Sequence, residues 1–213
     1  MPRPSLPTIF PRLLGAGWWA LLILLALWVA GYSVYVYGWL PLGNAVGPAM
    51  RESFRANAAA VYLHVFGAAF APVIGLWQLC SRWRQRWPRL HRSLGYAYLV
   101  GGVGIGGLAG LWLGWHSHAD AATRLAFVLL AVAWLASGAF GYARIRRGDV
   151  AGHREWMWRN YALTWGAVML RLQMALLIGC GFTAAEAYPL VAWFAWVPNL
   201  AVAEWLVRRH RTQ

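Results

Sequence analysis

The residues best suited to chemistry lie between His153 and Arg171, in the run His-Arg-Glu-Trp-Met-Trp-Arg-Asn-Tyr-Ala-Leu-Thr-Trp-Gly-Ala-Val-Met-Leu-Arg. The run reads as a charged, aromatic loop that becomes an apolar helix. That helix carries Arg171 about ten residues further on, which at about 1.5 Å per residue is near the middle of a bilayer. An arginine at that depth costs roughly 2.5–3.5 kcal/mol on insertion scales, so it is expected to face a protein interior, a water-filled cavity or a ligand. His153, Asn160, Thr164, Ala167 and Arg171 fall close to one helical face, which predicts an inward polar stripe. All six acids, Glu52, Asp120, Asp149, Glu155, Glu186 and Glu204, lie at or beyond the ends of apolar runs, so none is placed to neutralise Arg171. Either backbone carbonyls freed near Pro72 and Pro198 satisfy the guanidinium, or an anionic ligand does. A haem propionate, a quinone oxygen, a lipid phosphate and a carboxylate all match its planar fork.

The histidines are the second set. His64 falls in the outer half of its apolar run, whereas His91 and His153 mark the starts of two others. Histidines at helix ends are commonly structural, bonded to carbonyls or headgroups. The sharper reading is a b-type haem held by two imidazoles from facing helices, His91 with His153, and a second pairing of His64 with His116 or His118. His116, His118 and Asp120 also offer two imidazoles and a carboxylate in one short loop, a donor set suited to copper or zinc. His210 belongs to a basic tail.

These residues need membrane-spanning helices to position them. With 61% hydrophobic residues, 12% charged and 16 tryptophans in 213 residues, the chain has more apolar surface than a soluble domain of this size buries. The net charge of +13 comes from arginines in short loops between uncharged stretches. That pattern is topogenic and suits anionic lipid headgroups; a nucleic-acid partner would need a clustered basic face.

Hydropathy predicts six spans, about 17–37, 57–80, 94–115, 122–143, 160–181 and 187–207. The expectation is an all-α integral membrane bundle forming one domain over 1–213, with an N-terminal segment 1–16, the bundle over 17–207 and a basic tail 208–213. Fifteen of the 19 arginines fall on the side that also holds both termini, which the positive-inside rule assigns to the cytoplasm. Cys80 and Cys180 are then at opposite faces, too far apart to pair. In the third span, Tyr98 is followed by Gly102, Gly106, Gly110 and Gly114 at every fourth position. A strip of this kind admits another helix or, less commonly, a planar cofactor. Pro198 and Asn199 predict a kink in the last span.

The run His64-x-x-Gly67 leading to Gln78, then Leu90-His91-Arg92-x-x-Gly95-x-x-Tyr98, resembles a bacterial membrane-protein family catalogued as domain of unknown function 2306. So do Ile145-Arg146-Arg147-Gly148-Asp149-x-x-x-His153-Arg154-x-Trp156-Met157-x-Arg159-Asn160-Tyr161-Ala162-Leu163-Thr164, Leu170-Arg171 and Trp193-x-x-Trp196-Val197-Pro198-Asn199. The resemblance covers about residues 60 to 205. It implies a multi-pass inner-membrane protein, brings no settled activity, and adds weight to His64, His91, His153, Arg159, Arg171 and Asn199. The first functional expectation is haem-b or quinone-linked electron transfer, with His64, His91, His153 and Arg171 around the cofactor. The alternatives are a transporter or binding protein for a small anionic or amphipathic molecule, contacted by Arg159, Arg171 and Asn199, and a structural membrane subunit.

Overall fold

The computed structural model describes residues 16–44 and 46–211, and every regular element among them is helical. Six helical stretches are long and apolar enough to cross a bilayer: Gly17–Gly38, Ala58–Leu79, Pro88–Trp115, Ala121–Arg146, Val150–Gly179 and Ala184–His210. Short helices Pro48–Ala56 and Ser81–Arg86 fill the first two connections. The chain is thus an all-α membrane protein with the six spans the hydropathy predicts. The described part of the 1–16 segment is Ala16 alone, and that of the tail ends at Arg211.

Two helices start earlier than hydropathy places them. The fifth begins at Val150, so His153 to Arg159 is helical and the expected charged loop is absent. Gly148, at φ 76°, turns the chain, and the Asp149 carboxylate caps the new helix by accepting from the Gly152 amide at 2.8 Å. The third begins at Pro88, whose ring suits the first helical turn and whose missing N–H is not needed there. Hydropathy registers only the apolar part of a helix, whereas caps and prolines set where it begins.

Four spans are irregular near their middles. The second breaks at Phe70, the fifth at Trp165, and the sixth at Ala195 and Trp196, while the third is a π-helix over Ala97–Gly106. Pro72 and Pro198 account for two of the breaks, because each lacks the N–H that would reach the carbonyl four residues earlier. At the third break no proline is present. There the Thr164 hydroxyl donates back to the Asn160 carbonyl at 3.0 Å, a bond that loosens the helical ladder.

Small residues hold the spans together. Ala26, Ala69, Ala71, Ala126, Ala187, Ala192 and Ala195 are buried, while Leu24, Leu108, Leu176 and Phe194 face outward, as lipid-facing side chains do. The glycine strip is a helix-packing surface. A Cβ at Gly102 would stand 3.2 Å from that of Ala71, one at Gly106 3.1 Å from the Ala68 nitrogen, and one at Gly110 2.7 Å from His64 Nδ1. Gly114 meets Phe127 of the fourth span. The face that could have admitted a planar cofactor is occupied by neighbouring helices.

Candidate functional site

The expected polar stripe of the fifth span is divided by the break at Trp165. Its first half packs on the fourth and sixth spans and its second half turns to the first and sixth. Asn160 and Thr164 therefore belong to one environment and Arg171 to another.

Asn160 and Thr164 enter a closed hydrogen-bond network with Tyr98, Trp134 and Ser137. The Tyr98 hydroxyl donates to Asn160 Oδ1 at 2.7 Å, and Asn160 Nδ2 donates to the Trp134 carbonyl at 2.7 Å and to Ser137 Oγ at 2.9 Å. Trp134 Nε1 donates to Thr164 Oγ1 at 2.9 Å. The single Thr164 hydroxyl proton is left to serve the Asn160 carbonyl and the Tyr98 oxygen, 2.6 Å away. Tyr98 and Asn160 are buried, and their polar atoms are all engaged. The network fixes three spans to one another, and a fourth joins through the Tyr161 hydroxyl, which donates to the Pro72 carbonyl at 2.8 Å. Nothing in it is left over for a ligand.

Arg171 is different. It stands about 12 Å along the helix from Gly179, at 1.5 Å per residue. Its Nη1 donates to the Ala167 carbonyl of its own helix at 2.8 Å, and its guanidinium carbon lies 5.4 Å from the centre of the Tyr32 ring. Tyr37 of the first span and His64 of the second are within electrostatic reach. The ion pairs Arg144–Asp149, Arg159–Glu204 and Arg208–Glu204 lie elsewhere, and no carboxylate among the described residues pairs with Arg171. The carbonyl that Pro198 frees does not serve it either, because Gln173 Nε2 occupies Phe194 O at 3.1 Å. Two residues along, Gln173 Oε1 is buried without a partner, as is Trp196 Nε1.

The other expected anion contacts lie elsewhere. Arg159 donates through Nε to Glu204 Oε2 at 2.7 Å and packs over the Trp156 ring at 4.9 Å, so its partner is a protein carboxylate at the arginine-rich end. Asn199 Nδ2 donates to Ala195 O at 2.9 Å and to Ala162 O at 3.4 Å, binding the broken sixth span to the fifth. Arg159, Arg171 and Asn199 do not converge.

The histidines also separate. His64 Nδ1 contacts the Gly106 carbonyl at 2.8 Å and His153 Nδ1 the Gly141 carbonyl at 2.9 Å. A carbonyl accepts only, so both rings carry a proton on Nδ1 and, as neutral imidazoles, present a lone pair at Nε2. His116 Nδ1 turns back to the Trp112 carbonyl at 2.9 Å and its ring stacks on Trp112. His116, His118 and Asp120 are not gathered as a ligand group, and no three or more His, Cys, Asp or Glu side chains are so placed among the described residues. Asp120 is instead a helix cap: Oδ1 accepts from the Ala122 and Thr123 amides at 3.0 Å each, and Oδ2 takes the Thr123 hydroxyl. The Thr123 side-chain and backbone bonds hold its carboxyl below the ordinary range.

His91 and His153 lie at the arginine-rich end, within electrostatic reach of each other and of Arg84. His91 Nδ1 is buried with no hydrogen-bond partner. So is Nε2 of Gln78, whose Oε1 lies 3.6 Å from where a Gly95 Cβ would stand, one helical turn from His91. The pattern of glycines drew attention to the third span, but the orphaned amide of Gln78 and the exchange between Tyr98 and Thr164 carried no sequence signal beyond polar residues in apolar runs.

No curated protein and no solved structure matches the chain. The family described as predicted membrane protein, DUF2306, matches residues 61–207, which takes in the last five spans, the Arg171 surroundings on the second and fifth spans, and the His91–His153 pair. The chain belongs to the DUF2306 family of predicted membrane proteins.

Proposed function

We propose that this chain is a multi-pass protein of the bacterial inner membrane, both termini cytoplasmic, that binds a small amphipathic anion at Arg171 as a carrier or a binding protein. The observation behind this reading is a guanidinium in the membrane-spanning region whose contacts are one carbonyl of its own helix and the face of Tyr32. A buried charge is expected to be paired, and no described carboxylate pairs with this one. Irregular backbone in the second, fifth and sixth spans adds support, because broken helices at membrane depth belong where they are packed in protein or border a cavity. A carboxylate or a quinone oxygen would fit the guanidinium fork.

The test is thermal stability in detergent across a panel of carboxylates, phosphates and quinones, for wild type, Arg171→Lys and Arg171→Met. A stabilising ligand should lose its effect in both variants, since lysine keeps the charge without the bidentate fork, while Arg171→Met inserts as well as wild type. If Arg171→Met unfolds and Arg171→Lys behaves as wild type towards every ligand, the arginine is structural. Quinone-linked electron transfer is one form of this reading. Its haem-b form would rest on His91 and His153, whereas His64 is packed against Gly110 and the glycine strip is filled. A sharp Soret and α band in a reduced-minus-oxidised spectrum would install the haem form in place of simple anion binding.

A further inference from the structure

We propose that the arginine-rich end holds a second site, separate from Arg171, in which Gln78, His91 and Arg84 bind a phosphate oxyanion. Gln78 Nε2 and His91 Nδ1 are both buried and both lack a partner. The Gln78 side-chain amide lies against Gly95, and His91 is one helical turn before Gly95 on the same face, so the two side chains border the same stretch of the third span. The Gln78 amide nitrogen can only donate, and leaving a buried donor unmet is costly enough that native proteins rarely do so.

The electrostatics select the missing acceptor. Arg84 acts on both His91 and His153, and Arg154 acts on Arg84 and His153, so positive charge converges on the orphaned donors. Burial first, and Arg154 second, draw the Arg84 guanidinium below its ordinary range. An oxyanion would relieve that repulsion and accept from the amide and the imidazole together. His153 is not free to swing away, because Nδ1 is tied to the Gly141 carbonyl at 2.9 Å. A tetrahedral phosphate has enough acceptor oxygens for a guanidinium, an amide and an imidazole at once. The site lies between the second and third spans where the bundle ends, at headgroup level, so the phosphate can belong to an acidic lipid or be free in solution.

The experiment uses the full chain in nanodiscs. One arm titrates inorganic phosphate into phosphatidylcholine discs; the other dopes the discs with phosphatidic acid and omits phosphate; chloride at equal ionic strength is the reference. The expected result is a rise in thermal midpoint in one arm, which names the source. Gln78→Leu and His91→Phe should fold at least as well as wild type without phosphate, because each removes an unmet buried polar nitrogen, and should lose the rise. Arg84→Met should lose it too, and Arg171→Met should keep it, so this site stands or falls independently of the Arg171 reading. No rise in either arm, a rise that survives Gln78→Leu and Arg84→Met, or a Soret band attributable to His91 and His153 would overturn the proposal.

Discussion

Gln173 Nε2 donates to the Phe194 carbonyl at 3.1 Å, and Phe194 is the residue whose helical partner Pro198 removes. A side chain of the fifth span thus supplies the donor that a proline in the sixth withholds. The two residues should be thermodynamically coupled. Gln173→Leu strands the carbonyl in wild type but not in a Pro198→Ala background, where residue 198 regains its N–H. A double-mutant cycle on thermal or denaturant unfolding in detergent should give a coupling of about 0.5–3 kcal/mol, with the glutamine worth less once the proline is gone.

The Tyr98–Asn160–Thr164 network makes a graded prediction. Tyr98→Phe removes one donor and leaves Asn160 Oδ1 unmet, at about 1–3 kcal/mol. Asn160→Leu removes three bonds at once, leaving Tyr98 only Thr164 and the Trp134 carbonyl only the Ser137 hydroxyl among their side-chain partners, and should cost more. Unfolding midpoints of the two variants in the same detergent check the order, and equal stability would remove the network from the stability account.

Gly75 is a steric prediction. A Cβ there would stand 2.1 Å from Tyr161 Cε2, so Gly75→Ala must push the ring and loosen its hydroxyl from the Pro72 carbonyl. Overpacking of this kind costs about 1–3 kcal/mol. Gly31→Ala is the control: no atom lies within 4 Å of the added methyl, so it should be neutral or gain up to about 1 kcal/mol from helix propensity. Parallel melts of the two alanine variants decide it.

Asp120 sets a pH dependence. Its carboxyl is held below the ordinary range by the Thr123 bonds, so its stabilisation of the fourth span is complete above the unfolded-state value and fades as pH falls through the lower folded value. The midpoint difference between wild type and Asp120→Ala should be constant near neutrality and shrink as the pH drops below about 4. A difference that grows on acidification would mean that the carboxylate is not the cap.

The sequence by itself determined the membrane class, the number of spans and the family. Each depends on quantities additive along the chain: apolar length, the placement of arginines, and motifs such as His153-Arg154-x-Trp156-Met157-x-Arg159-Asn160. It also isolated Arg171, because every acid lies at or beyond the end of an apolar run. Helix starts at Pro88 and Val150 were legible in principle, through a proline at the first turn and the Asp149 cap, but hydropathy overlooks polar helix that projects past the apolar core.

Only the tertiary structure decided which polar groups meet. Arg159 and Arg171 are the same residue type on one helix, yet one faces Glu204 of the sixth span and the other Tyr32 of the first, because a threonine bond to Asn160 and the break at Trp165 separate the two halves. The glycine strip could have flanked a planar group or a helix, and the spacing of Ala68 and Ala71 on the second span filled it. Gln78 and Gly95, 17 positions apart, became neighbours only when the short helix Ser81–Arg86 folded the chain back. Pairings of this kind follow from helix rotation and interaxial distance, which are set by the packing of all six spans together rather than by any local stretch.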